Sequence, residues 1–182
     1  MLASTPSAVG TASEGAAVDP TLTALAPSAL DNLYHVGHLV PDLRAGMHTF
    51  GRLLQCGWAT PFQMGTGFGL PDGGTDDRVG RFAYSKEGPP FLELIEVIAD
   101  AESIFSEPSG GGFHHVGVYA ERWRDEVARL TDEGMAVERI GAGLAFLRDP
   151  VTGFRIEMVS FKGRPFLDRI LSGDLGAQCP LT

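Results

Sequence analysis

Two tripeptides in this 182-residue chain are identical and 80 positions apart: His35-Val36-Gly37 and His115-Val116-Gly117. Downstream of each lies an acid inside an apolar run, Glu93 in Leu92-Glu93-Leu94-Ile95 and Glu157 in Ile156-Glu157-Met158-Val159. Two imidazoles and two carboxylates suit a divalent transition metal such as Zn, Ni, Co, Mn or Fe. Neutral imidazole donates its lone pair and the carboxylates balance the charge. A carboxylate among apolar neighbours is costly unless something compensates it, and a metal would. Four protein donors on an octahedral ion leave two adjacent positions for water or substrate oxygens. A ligating carboxylate that detaches becomes a general base, and Glu157 is the candidate for that second role.

Such a set needs elements that repeat. Leu33 to Val40 reads as a strand that stops at Pro41-Asp42, with Asp42 as N-cap of a helix. Leu43, Met47, Phe50 and Leu54 recur on one helical face, and Gly57 is expected to end it. Trp58–Met64, Arg78–Ser85 and Phe91–Ile98 read as strands around a Gly-, Asp- and Pro-rich loop over 65–77. The second block follows suit. Phe113–Ala120 is a strand; Trp123, Val127 and Leu130 form a helical stripe; Gly134 closes it; and Met135–Ile140, Leu144–Arg148 and Phe154–Ser160 are strands. A shift of 80 carries Leu43, Met47 and Phe50 onto Trp123, Val127 and Leu130. An internal duplication of a βαβββ unit is the economical reading. The expected fold class is α+β: two βαβββ modules forming an open β-barrel-like cavity with helices outside. Side chains alternate along a strand, so His35, Gly37 and Leu39 share one face, as do His115, Gly117 and Tyr119. If the sheets curl around one cavity, the four donors converge.

The expected organisation is an arm over 1–29, a domain over 30–162 (module one 30–100, module two 110–162) and a tail over 163–182. The arm is rich in Ala, Ser, Thr, Pro and Gly and lacks aromatics, so it buries too little to offset its ordering entropy; a short helix near Thr21–Leu25 is its one candidate element. The tail has a short helical stretch, Phe166–Leu171, expected to pack outside. Cys56 and Cys179 form no CxxC pair and read as ordinary thiols. The formal net charge of −9 disfavours nucleic acid and anionic membrane surfaces. No apolar run approaches a bilayer span, and no Lys or Arg precedes Arg44, so no signal peptide is expected and the default location is cytoplasmic.

The remaining candidates carry blander readings. His38 has the opposite parity from His35 and should face the helix layer. His114 has the wrong parity beside His115 and reads as a core histidine. His48 follows Met47 on the helix and reads as surface or surrounding shell. Glu96 reads as exposed or bonded to backbone. Arg78 and Arg81 could bind a substrate anion, with a surface role favoured for either alone. Gly65-Thr66-Gly67-Phe68-Gly69 does not open a helix and is no nucleotide loop; a loop bordering the cavity is the better reading. Trp58, Phe62, Phe68, Phe82 and Tyr84 are candidates to line a hydrophobic pocket.

The stretch Leu33–Ser160 resembles the vicinal-oxygen-chelate superfamily, also called the glyoxalase, bleomycin-resistance and dioxygenase superfamily. The residues that carry the likeness are Tyr34-His35-Val36-Gly37 with Val40-Pro41-Asp42-Leu43, Leu92-Glu93-Leu94-Ile95-Glu96, His114-His115-Val116-Gly117, and Phe146-Leu147-Arg148-Asp149-Pro150 with Gly153 and Ile156-Glu157. The resemblance implies metal ligands at His35, Glu93, His115 and Glu157, a set similar to that of nickel- or cobalt-preferring glyoxalase I. The sequence style is nearer to methylmalonyl-CoA epimerase-like members. Those usually carry a catalytic carboxylate on the third strand of module one, whereas Arg78–Tyr84 holds no acid. The resemblance also implies a small-molecule substrate and a homodimer. Expected is a lyase or isomerase that abstracts a proton from a small oxygenated substrate through a metal-stabilised enediolate. An extradiol-type Fe(II) dioxygenase and a natural-product-binding or resistance protein are the alternatives.

Overall fold

The computed structural model describes residues 29–65, 67–76, 79–98, 104–106 and 110–175. Residues 1–28 of the arm, with its candidate helix near Thr21–Leu25, and Arg78 and Cys179 lie outside them. The first module runs β1 (Leu33–Leu39), α1 (Leu43–Leu54), β2 (Phe62–Gly65), β5 (Val79–Tyr84) and β6 (Phe91–Val97). A hairpin of β3 (Phe68–Gly69) and β4 (Thr75–Asp76) is inserted between β2 and β5. The second module runs β7 (Gly112–Ala120), α2 (Trp123–Asp132), β8 (Ala136–Ile140), β9 (Leu144–Arg148) and β10 (Arg155–Ser160), and α3 (Arg164–Ser172) follows it. The chain is thus α+β with two βαβββ modules, as the duplication predicted.

The ten strands of the described residues form one sheet in the order β2-β5-β6-β1-β7-β10-β9-β8-β3-β4. In each module the last strand pairs in parallel with the first, β6 with β1 and β10 with β7, and the modules meet through the antiparallel pair β1–β7. The order shows why the sheet must curl. Strand β2 ends one edge at Gly65, yet Gly69 in β3 pairs with Ile140 of β8 on the opposite edge. The chain from Gly65 to Phe68 makes only three Cα steps of 3.8 Å each, so the two edges approach within about 11 Å there. The expected loop over 65–77 therefore contains a hairpin that straps the mouth of the curl.

Helix α1 starts as its cap predicts, with the Asp42 carboxylate accepting from Ala45 N at 2.7 Å. It ends earlier than Gly57: Gln55 takes the left-handed conformation at φ 55°. Leu43 packs with Val40, Ala83 and Leu94 beneath α1, and Trp123 packs with Val118, Leu147 and Met158 beneath α2. The third cluster fills the inside of the curl, with Phe62, Phe82, Ile95, Phe105 and Phe146. Leu167 and Ile170 of α3 belong to that inner cluster. The tail helix therefore packs on the concave side of the sheet instead of outside, because its apolar stripe finds there a concave apolar surface that α1 and α2 do not cover.

Candidate metal centre

The antiparallel β1–β7 pair builds the centre. Its register sets His35 opposite Gly117 and Gly37 opposite His115. Each imidazole lies across the glycine of the other strand. A Cβ on Gly37 would stand 2.2 Å from His115 Cε1, and a Cβ on Gly117 2.2 Å from His35 Cε1. The glycine of each His-Val-Gly is thus the floor on which the other module's histidine lies. The parallel pairs then set Glu93 beside Gly37 and Glu157 beside Gly117. Strand parity turns all four side chains to the concave face.

They converge. His35 Nε2 lies 2.7 Å from His115 Nε2. Glu93 Oε2 is 3.3 Å from His35 Nε2 and 3.5 Å from His115 Nε2; Glu157 Oε2 is 3.4 Å and 3.8 Å from the same two atoms. Both histidines are fully buried and both glutamates nearly so. Tyr84 Oη donates to Glu93 Oε1 at 2.5 Å, and Tyr34 Oη donates to Glu157 Oε2 at 2.9 Å.

His114 departs from the parity argument. Between Gly37↔His115 and His38↔Phe113 the register slips by one, leaving His114 as an extra residue in β7. Such a bulge turns a side chain out of alternation. His114 is buried, stacked on Phe105, with Nε2 2.9 Å from Ile104 O and Nδ1 2.7 Å from His115 Nδ1. Burial, with the Arg155 charge adding, lowers its pKa to about 3, so it is neutral. A carbonyl only accepts, so His114 Nε2 carries the proton and its Nδ1 accepts from His115 Nδ1–H. His115 therefore presents a bare Nε2 lone pair to the centre. An imidazole oriented by a hydrogen bond on its far nitrogen is a usual companion of metal ligation. The core reading of His114 holds in its carbonyl partner and fails in its placement. Tyr34, its counterpart in module one, sits at a matching slip in β1 between Leu33 and His35.

The electrostatics point the same way. Burial opposes charge on His35, yet Glu93, by charge and hydrogen bond, and Glu157 push its pKa up. The pKa of His115 falls well below the ordinary value, through burial first and then the His35 charge. Burial, with the Glu93 charge adding, raises Glu157 to about 7 against His35 and the Tyr34 bond. A proton on His35 Nε2 thus sits among one imidazole lone pair and two carboxylates. That is the position and coordination a divalent cation would take, and the donor set fits one. His35 Nδ1 is buried without a hydrogen-bond partner.

The other predicted residues fall elsewhere. His38 stacks edge-on against Phe50 of α1, and His48 is exposed. Glu96 accepts from Leu43 N at the start of α1 and pairs with Arg81 at 3.3 Å, which keeps both out of the cavity. Phe62, Phe82 and Tyr84 do line it. Trp58 does not: its Nε1 donates to Met47 O under α1. The side chain of Phe68 lies outside the described residues. Among residues that sequence reasoning missed, Tyr34 precedes a candidate ligand, but its bulge has no local signature.

A cavity of about 850 Å³ opens from this centre, lined by Glu93, His115 and Glu157 at one place and mostly by apolar side chains beyond. No helix among the described residues is long and apolar enough to cross a membrane. No curated protein matches the chain significantly. Among solved structures, methylmalonyl-CoA epimerase from Mycobacterium tuberculosis aligns with TM-score 0.52 and 21% identity over 75% of this chain and 91% of its own. The hypothetical protein BH1468 from Bacillus halodurans C-125 aligns with TM-score 0.50 and 19% identity over 70% and 92%. A 4-hydroxymandelate synthase mutant from Streptomyces coelicolor aligns with TM-score 0.51 and 14% identity over 70% and 48%. At such identities the likeness is one of fold. The family model described as Glyoxalase/Bleomycin resistance protein/Dioxygenase superfamily matches residues 34–148, from the strand that carries His35 to the strand before Glu157, and the chain belongs to that superfamily.

Proposed function

We propose that the protein is a metal-dependent lyase or isomerase that moves a proton on a small substrate with adjacent oxygens. The observation that carries this is the meeting of His35, Glu93, His115 and Glu157 at one buried point that opens into a large, mostly apolar cavity. A divalent ion held by these four would supply Lewis acidity to a substrate carbonyl and acidify the neighbouring C–H. Glu93, clamped by Tyr84, and His115, oriented by His114, are the fixed ligands. Glu157 takes the proton from the carbon beside the carbonyl and returns it to the same or the adjacent carbon. Its side chain is the most exposed of the four, 12% against 8% for Glu93, and it faces the cavity. Tyr34 Oη holds that carboxylate in place. His35, Glu93 and His115 form the compact group, and the second carboxylate, Glu157, 3.4 Å and 3.8 Å from the two histidines, favours this chemistry over dioxygen activation.

Elemental analysis tests the centre: about one Zn, Ni, Co or Mn per chain is expected, and none in His115→Ala. Proton transfer is read as deuterium uptake in D2O at the carbinol carbon of acetoin and of benzoin, both α-hydroxyketones. Uptake by the wild type and its loss in Glu157→Gln are expected. A metal-loaded Glu157→Gln with full exchange would refute the base role, and absence of metal under every loading condition would refute the centre.

A further inference from the structure

The cavity is far larger than the centre needs, and its walls are rich in aromatic rings. Phe62 and Phe82 stack at 5.5 Å, and Phe166 meets Phe62 edge-on at 6.2 Å. Across the cavity Phe105 meets Phe146 edge-on at 5.5 Å, and Phe146 meets the His115 ring at 5.2 Å. The rings brace one another, so the box is formed before anything enters it. Apart from Glu93 and Glu157, every charged lining residue comes from the short stretches 121–125 and 162. Its lining cations, Arg122, Arg124 and Lys162, all come from those two stretches, and the aromatic walls carry none.

Helix α3 gives the sharper clue. It lies after both modules, supplies no donor to the centre, and gives the cavity only Phe166, Leu167 and Ile170. An element whose whole contribution is an apolar roof is informative when the ligand reaches it. A triose-sized substrate at the centre would leave most of about 850 Å³ as water against apolar walls. Pockets of this size and lining suit drug-sized ligands. Resting on the metal reading above, we infer that the substrate is an aryl or fused-ring compound whose adjacent oxygens meet the centre and whose ring body extends between Phe146 and the Phe82–Phe166 side toward α3. Fixed aromatic walls favour offset or edge-on contact with a flat ring over an aliphatic chain of equal area.

The test uses the full chain reconstituted with Zn(II) and titrated with catechol, 4-tert-butylcatechol and 2,3-dihydroxynaphthalene, followed by their absorbance. Each presents the same two oxygens on a different body. The expected result is binding of 2,3-dihydroxynaphthalene about tenfold tighter than catechol. Phe166→Leu and Phe82→Leu, which keep apolar bulk and remove the ring, should cost the bicyclic ligand about tenfold and leave catechol unchanged. Equal affinity for catechol and the bicyclic ligand would overturn the extended ring body while leaving the metal reading intact. If 4-tert-butylcatechol matches the bicyclic ligand and neither substitution matters, the cavity reads bulk and the ring assignment is wrong. If the protein takes up no Zn(II) and no catechol, the metal reading falls and this inference with it.

Discussion

Replacing Gly37 by alanine tests the architecture of the centre with a single methyl group. The new Cβ would lie 2.2 Å from His115 Cε1 and 2.4 Å from Nδ1, where ordinary contact begins near 3.4 Å. The imidazole must therefore retreat by about 1.2 Å. It has nowhere to go without cost: His114 Nδ1 holds it at 2.7 Å, and the Phe146 ring lies 5.2 Å away between centroids. Overpacking of this kind costs about 1–3 kcal/mol in stability. Metal–ligand distances tolerate errors of only ~0.2 Å, so a ring displaced by several times that is lost as a ligand, and metal affinity should fall at least about 100-fold. Competition for Zn(II) against a chromophoric chelator measures the affinity, and thermal melting with far-UV circular dichroism measures the stability. Gly143→Ala is the control, because the nearest atom to its added Cβ is Ser160 Cβ at 4.0 Å. Gly117→Ala should repeat the loss through His35. A Gly37→Ala protein with wild-type Zn(II) affinity would show that His115 does not lie over Gly37 when it binds, and the crossed arrangement would be wrong.

Glu157 gives a pH signature in metal-free protein. Its pKa rises from 4.5 to about 7 on folding, so the stability tied to its protonated form is present below pH 4.5 and lost as the pH climbs through 7. The loss amounts to about 3 kcal/mol. The neutral buried His114 and His115 act in the opposite sense, so the comparison is with Glu157→Gln: equal stability near pH 4.5, and a variant more stable by about that amount at pH 8. A gap that does not change with pH refutes it. His114→Leu should cost Zn(II) binding about 10–100-fold, since His115 loses the acceptor that fixes its tautomer, and His114→Gln, with both a donor and an acceptor, should recover part of it. Nitrogen-15 shifts of His115 in the apo wild type should report a protonated Nδ1, and a protonated Nε2 would overturn the relay.

The duplicated modules and the convergence of His35, Glu93, His115 and Glu157 were legible because they rest on period and parity. His35 and His115 share their faces with Gly37 and Gly117, and the repeat brings Glu93 and Glu157 to matching strands. Parity also placed His38 against α1. It failed at His114, where a one-residue slip against β1 breaks alternation, and slips of register depend on the partner strand rather than on local sequence. The hairpin at Phe68–Gly69 and Thr75–Asp76 was read as loop because its short strands carry no alternation to detect. The tail helix was assigned to the outside because its destination is set by a concavity that exists only once both modules have curled.

The two modules place a histidine and a glutamate equivalently but support them differently, and that difference separates the roles proposed for the two carboxylates. Tyr84 sits opposite Glu93 in the β5–β6 register; Phe146 holds the same place opposite Glu157 between β9 and β10. Module one thus clamps its own carboxylate with a phenol, while module two sets an apolar ring beside its own. The bulged residues differ in the same way, for Tyr34 reaches across to Glu157 while His114 serves His115. Glu157 is therefore held by one hydrogen bond from the other module and faces a ring that cannot replace it. A carboxylate so placed can leave a metal and accept a proton at lower cost than Glu93, whose phenol is its own strand neighbour. Tyr34→Phe should then slow deuterium exchange more than it weakens Zn(II) binding, and Tyr84→Phe should do the reverse. Equal effects of the two substitutions on both measurements would remove the basis for separating a fixed carboxylate from a working one.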